Sequence, residues 1–297
     1  MHFKFLMRLP LLISLYVLPP LLALAAPADE PTSPIYRITV VQRSLPAVNY
    51  GHRSGPTQID FRGTILAPGA KGGATVEAKL GAVNIHAKLE RLGAPQQFGA
   101  EYLTYVLWAV SPEGQTDRLG EIITNANNEG KLDVSTSFQT FGLLVTAEPY
   151  FAVSKPSPVV VMENVLRPDT IGTAEQVSAK YELLPRADNY TVSLPPHADA
   201  RTTAAKPVLV SQREYEVQVA LYQARNAIQI ARSERVDVYA PDTLGKAERL
   251  AQEAEQVPDR KAYSERIIML ARQAAQTAED ARNIAAQRKA AEHLAGN

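Results

Sequence analysis

Apolar and polar residues alternate with a period of two through the first half of this chain and with a helical period through its last third. Val83, Ile85, Ala87 and Leu89 alternate with Asn84, His86, Lys88 and Glu90, the pattern of an antiparallel strand with one wet face. Glu101–Val110 departs from that rule. Tyr102, Thr104, Val106, Trp108 and Val110 share one face, Leu103, Tyr105, Leu107 and Ala109 share the other, and both faces are largely apolar. Such a strand is expected at the centre of the fold, covered on both sides, with Trp108, the sole tryptophan, between the layers. Further strands are predicted at Ile35–Arg43, Gln58–Ile65, Ala74–Leu80, Asp117–Ile123, Lys131–Ser137, Leu143–Glu148, Val159–Val165 and Gln176–Leu184. Leu45–Pro56, with its prolines and glycines, reads as turn-rich, and Pro68–Gly73, Ser111–Gln115 and Asn125–Gly130 read as connections. Short strands with turns about every 8–12 residues imply an all-β, Ig-like antiparallel sandwich, placed at 35–184.

Pro185–Pro207 is poor in large apolar residues, so 185–211 is expected to be a linker between two independently folding units. Beyond it alanine dominates. Val217, Leu221, Ala224, Ile228 and Ala231 recur at fours and threes, as do Leu244, Ala247, Ala251 and Ala254, and then Tyr263, Ile267, Leu270, Ala274, Ala278 and Ala281. These seams predict an all-α three-helix antiparallel bundle over 212–295, with helices near 211–239, 242–257 and 259–294. Pro241 suits the first turn of the second helix and Pro258 ends it. The third helix is the longest, which leaves Ala275–Leu294 as an expected overhang carrying Ala278, Ala281, Ile284, Ala285 and Ala291.

The N-terminus changes the picture of where the chain works. Lys4 and Arg8 precede an apolar run from Leu9 to Ala26, and Ala23-Leu24-Ala25 fits the small-x-small rule. Residues 1–25 are therefore expected to be a signal peptide cleaved after Ala25, followed by a Pro-rich flexible leader, 26–34. Pro19-Pro20 argues against a retained membrane anchor. The expected location is periplasmic or secreted, with no transmembrane span after cleavage. The 31 Lys+Arg balance 31 Asp+Glu, so no field invites nucleic acid. Cysteine is absent, which removes disulfides, thiolate metal sites and thiol nucleophiles.

Candidate chemistry is sparse. His2, His52, His86, His197 and His293 have no metal-ligand spacing, and there is no G-x-S-x-G elbow. Pro68–Gly73 lacks the Gly-Lys-Ser/Thr ending of a phosphate loop. Asn125, Asn127, Glu129 and Gly130 resemble the start of a calcium loop without its closing glutamate, and a hairpin turn is the plainer reading. Glu148 and Glu163, at strand ends, are weighed as a carboxylate pair, against the commonplace of acids at sheet edges. Asn189-Tyr190-Thr191 matches a short glycosylation sequon. Tyr215, Tyr222, Tyr239 and Tyr263 invite a binding face, with packing at helix ends as the blander account. No catalytic residue, metal ligand or cofactor is expected.

Two stretches resemble known families. Tyr239–Ala247 (YAPDTLGKA), with the helix Tyr222–Ala231 and the alanine repeats, resembles the domain-of-unknown-function family 4398 over about 213–292. Phe98–Phe151 resembles the β domain of OmpA-type bacterial envelope proteins. More distantly, through Tyr-x-x-x-Trp, Leu119-Gly120 and Thr146-Ala147-Glu148-Pro149, it resembles the extracytoplasmic domain of anti-sigma-K-type regulators. No OmpA-like module and no cytoplasmic sigma-binding region is seen in the sequence, so sigma regulation is not expected. The resemblances imply an exported cell-envelope protein with a structural or interaction role and no catalysis. Its partner is expected to be an envelope protein, or its own copy through the C-terminal helices. The alternative is a carbohydrate- or peptide-binding module in which exposed Tyr102 or Tyr105 on the sheet meets a glycan. Burial of Tyr102, Tyr105 and Trp108 would favour the first.

Overall fold

The computed structural model describes residues 43–51, 55–170, 174–179 and 211–295. The expected signal peptide, leader, linker and sequon, most of the strand at Ile35–Arg43, and three of the histidines, His2, His52 and His197, lie outside the described residues.

Ten strands follow in order: β1 (Arg43–Asn49), β2 (Thr57–Gly63), β3 (Lys71–Lys79), β4 (Ala82–Glu90), β5 (Thr104–Val110), β6 (Thr116–Ile122), β7 (Gly130–Thr136), β8 (Thr140–Glu148), β9 (Val160–Val165) and β10 (Ala174–Ala179). Every pairing is antiparallel. The order round the sheet is β6-β5-β8-β9-β2-β3-β4-β7, and β1, carrying β10, joins at the start of β8. β7 returns beside β6, where Leu132 and Val134 lie against Gly120 and Thr136 Oγ1 donates to Asp117 Oδ2 at 2.7 Å. The expected sandwich is thus corrected to one antiparallel sheet curled into a nearly closed barrel. The physical reason is that β8 is shared by β1, β5 and β9, so the ladder continues round and no second sheet forms.

The turn-rich reading of Leu45–Pro56 also fails at β1. Leu45, Ala47 and Val48 are buried there. Pro46 is tolerated because the edge carrying its carbonyl, which its missing N–H would share, meets a side chain: Asn164 Nδ2 donates to Pro46 O at 2.9 Å, and Leu143 N–H donates to Asn164 Oδ1 at 2.9 Å. One asparagine fills the gap where β1 takes over from β9 as the neighbour of β8.

The helices are α1 (Gln212–Ser233), a single turn α2 (Val236–Tyr239), α3 (Pro241–Gln256) and α4 (Ser264–Ala295). Ser211 caps α1, its hydroxyl accepting from Glu214 N–H at 3.2 Å. The expected first helix is broken at Arg235, which takes the left-handed conformation (φ 58°). α3 starts at Pro241, where a missing N–H costs nothing. α4 packs against both α1 and α3. Among the described residues no helix is long and apolar enough to cross a membrane.

Two cores result. Ile59, Phe61, Val76, Ile85, Leu89, Tyr105, Leu107 and Val145 fill the barrel interior. Val106, Trp108, Val110 and Leu144, on the outer side of β5 and β8, merge with the alanine seams of α1, α3 and α4 in a second core. Trp108, 0% exposed, lies between sheet and helices. The barrel and helices fall in one compact unit and share this core.

The predicted overhang shrinks for the same reason. Ala275, Ala278, Ala281 and Ala285 are buried, because the connection after β8 supplies the cover that the short α3 does not: Glu279 accepts from Tyr150 Oη at 2.5 Å and from Ser154 N–H at 2.8 Å. Exposure begins after Ala285, and Leu294 is 82% exposed.

Candidate functional site

The described histidines and acids gather no site. His86 Nδ1 lies 2.8 Å from Asp133 Oδ1 on the exposed outer wall. No group of three His, Cys, Asp or Glu suited to a metal occurs among the described residues. Glu148 and Glu163 are not a pair. Glu163 sits opposite Leu144, about four residues or 13 Å along the ladder from Glu148. Glu148 is buried and accepts from Ser157 N–H at 2.7 Å and from Thr146 Oγ1, whereas Glu163 pairs with Arg62 at 3.4 Å. In the Asn125–Gly130 loop, Asn125 Oδ1 accepts from Asn127 and Glu129 N–H at 2.9 and 3.0 Å, which is hairpin-turn bonding. Pro68–Gly73 ends as strand, Lys71–Gly73 pairing with Asp60–Arg62.

The aromatics nominated for ligands are interior. Tyr102, Tyr105 and Trp108 are all buried. Trp108 Nε1 donates to Thr146 Oγ1 at 2.8 Å, and Tyr105 Oη donates to Gly93 O at 2.8 Å. Burial holds the Tyr105 phenol well above its usual range, despite help from Gln97. Of the helical tyrosines, Tyr222 lies beside the Arg225 guanidinium at 5.5 Å, Tyr239 donates to Glu292 at 3.0 Å, and Tyr263 is exposed. Tyr215 lines a cavity, together with the buried Tyr105.

That cavity is the most developed candidate. It is a cleft of about 260 Å³ between the ends of β5 and β6 and the helices α1 and α4. Its back is built by a bulge. Leu107 pairs with Gly120 but Trp108 with Arg118, so Leu119 is an extra residue in β6. Arg118 and Glu121, three apart, would otherwise point to opposite faces; the bulge turns both toward the helices. There Glu121, 4% exposed, accepts from Thr104 Oγ1 at 2.7 Å and Gln223 Nε2 at 2.6 Å, and pairs with Arg272. The Arg272 guanidinium stacks 3.7 Å from the centre of the Phe151 ring, with Arg118 on the same ring at 5.9 Å. Phe151 N–H donates to Gln223 Oε1 at 2.9 Å, and its carbonyl accepts from Arg118 at 3.3 Å. The rim carries Arg213, paired with Glu216 at 3.2 Å. Burial, then the Glu121 carboxylate, raises the Tyr215 phenol above its ordinary value. Its hydroxyl makes no hydrogen bond among the described residues.

A second buried cluster ties α4 to the barrel and to the end of α1. Arg282 bonds Glu279 at 2.7 Å, Tyr150 Oη at 3.0 Å and Glu234 at 2.8 Å. Burial would raise the Glu279 carboxyl, but the Arg282 charge and the bonds from Ser154, Tyr150 and Arg282 outweigh it and hold it below the usual range.

Sequence reasoning missed Glu121, Gln223, Arg272, Glu279 and Arg282. The available signal was polar residues set among alanines on inward helix faces, Gln223 and Asn226 in α1 and Glu279 and Arg282 in α4. No protein-family model matches this chain, and neither does any curated protein.

Proposed function

We propose that this chain is an exported bacterial cell-envelope protein with a structural or protein-interaction role and no catalysis of its own. The observation that carries the reading is the burial of Tyr102, Tyr105 and Trp108. A glycan platform needs exposed rings, whereas Tyr102 and Tyr105 lie in the barrel core and Trp108 in the core shared with the helices. What the fold offers to a partner is a stiff body with two cores, from which the last turns of α4 emerge, Leu294 exposed at the tip. The signal-like N-terminus and the resemblance of 213–292 to family 4398 support an envelope address.

The test is fractionation of cells expressing the native chain, with N-terminal sequencing and site-specific photo-crosslinking from position 287. A mature N-terminus at Ala26, an envelope location and one discrete cross-linked protein are the expected results. A cytoplasmic chain beginning at Met1 overturns the reading.

A further inference from the structure

The cleft between barrel and helices has a lining that selects for a class of small molecule. Its walls are mixed: Leu103 and Ile122 on the barrel side and Val219 and Ile268 on the helices give it an apolar part, beside Thr104, Gln223 and two ion pairs. Its volume, about 260 Å³, equals roughly nine waters at about 30 Å³ each, the scale of a single substituted ring. Its ionic groups cancel. Arg272 is paired with Glu121 and Arg213 with Glu216, and Glu121 has its oxygens taken by Thr104, Gln223 and Arg272. Each cation already has a carboxylate beside it, so an anionic ligand gains less here than at an unpaired cation. Within this surround the Tyr215 hydroxyl is a donor with no hydrogen bond among the described residues, as is the Thr124 hydroxyl at the rim.

We propose that this cleft binds an uncharged, predominantly apolar molecule of about ten heavy atoms whose single carbonyl or hydroxyl oxygen accepts a hydrogen bond from Tyr215. The apolar body displaces weakly held water from Leu103, Ile122, Val219 and Ile268, and the oxygen fixes its orientation. The site is independent of the scaffold reading, because it lies at the opposite end of α4 from the exposed Leu294 tip.

The test is titration of the mature protein with acetophenone, matched against benzoate and benzylamine, followed by methyl NMR. Acetophenone is expected to give saturable shifts confined to Leu103, Ile122, Val219 and Ile268, with both charged analogues at least about tenfold weaker. Tyr215→Phe keeps the shape and is expected to weaken acetophenone about fivefold to tenfold. Val219→Phe, which fills the cleft, is expected to abolish the shifts while leaving cross-linking from α4 intact. Thermal unfolding of both variants close to the parent excludes misfolding as the cause. Binding of benzoate or benzylamine as tight as acetophenone overturns the proposal. So does acetophenone binding that is unchanged in Tyr215→Phe and Val219→Phe, or absent up to about 10 mM.

Discussion

The two walls of the barrel are built from the same strand type and solve different problems. On the β2-β3-β4-β7 wall, Ile59, Phe61, Val76, Ile85 and Leu89 point inward while Gln58, Asp60, His86 and Lys88 meet water. On the β5-β8 wall both faces are buried, one on the barrel core and one under α1 and α4. Alternation therefore marks a wall that faces solvent, and continuous apolarity marks one that carries a second layer. The pattern does not say what that layer is. Trp108 would be equally apolar in sequence under a second sheet or under a helix, and here it lies under helices held by the Glu121 and Glu279 clusters.

The contrast is sharpest for single side chains. Trp108→Ala removes the largest buried ring of the covered wall and is expected to cost about 3–5 kcal/mol in urea unfolding. A loss under about 1 kcal/mol would mean that the ring does not anchor the helical layer. Arg282→Met leaves the Glu279 carboxylate buried without its cation, at an expected cost of about 3 kcal/mol. A neutral result would show that the cluster is solvated. The Glu279 pair also sets a pH window. Its carboxyl is lower in the folded state than the ordinary value near 4.5, so its stabilisation is present at neutral pH and is lost as pH falls below about 4.5. Glu279→Gln is expected to flatten the drop in stability between pH 6 and pH 3.5, and an unchanged slope would remove Glu279 from the acid response. On the water-facing wall, His86→Ala breaks the exposed contact with Asp133 and is expected to shift stability by less than about 0.5 kcal/mol. A larger loss would erase the difference between the walls.

Strands and helices were legible wherever local periodicity decided them, as at β4 and along the α3 and α4 seams. β1 was not, because Pro46 in a run with Gly51 and Gly55 mimics a loop, and its acceptance depends on Asn164, 118 residues away. The break at Arg235 carries no glycine to announce it. The closing of the sheet was invisible because it rests on β8 pairing with both β5 and β9 and on β7 returning beside β6. The cleft was the least legible part. Glu121 reaches the helices only through the extra residue Leu119, and its partners Gln223 and Arg272 stand 102 and 151 positions further on.

The central claim is that barrel and helices are one body sharing the Trp108 core. Urea unfolding of the mature protein, followed at once by the fluorescence of its sole tryptophan and by far-ultraviolet helical ellipticity, tests it most directly. A single transition with coincident midpoints is expected, since Trp108 and the α1–α4 seam lose the same core. Loss of helical signal at lower urea while Trp108 stays in its native environment would contradict it.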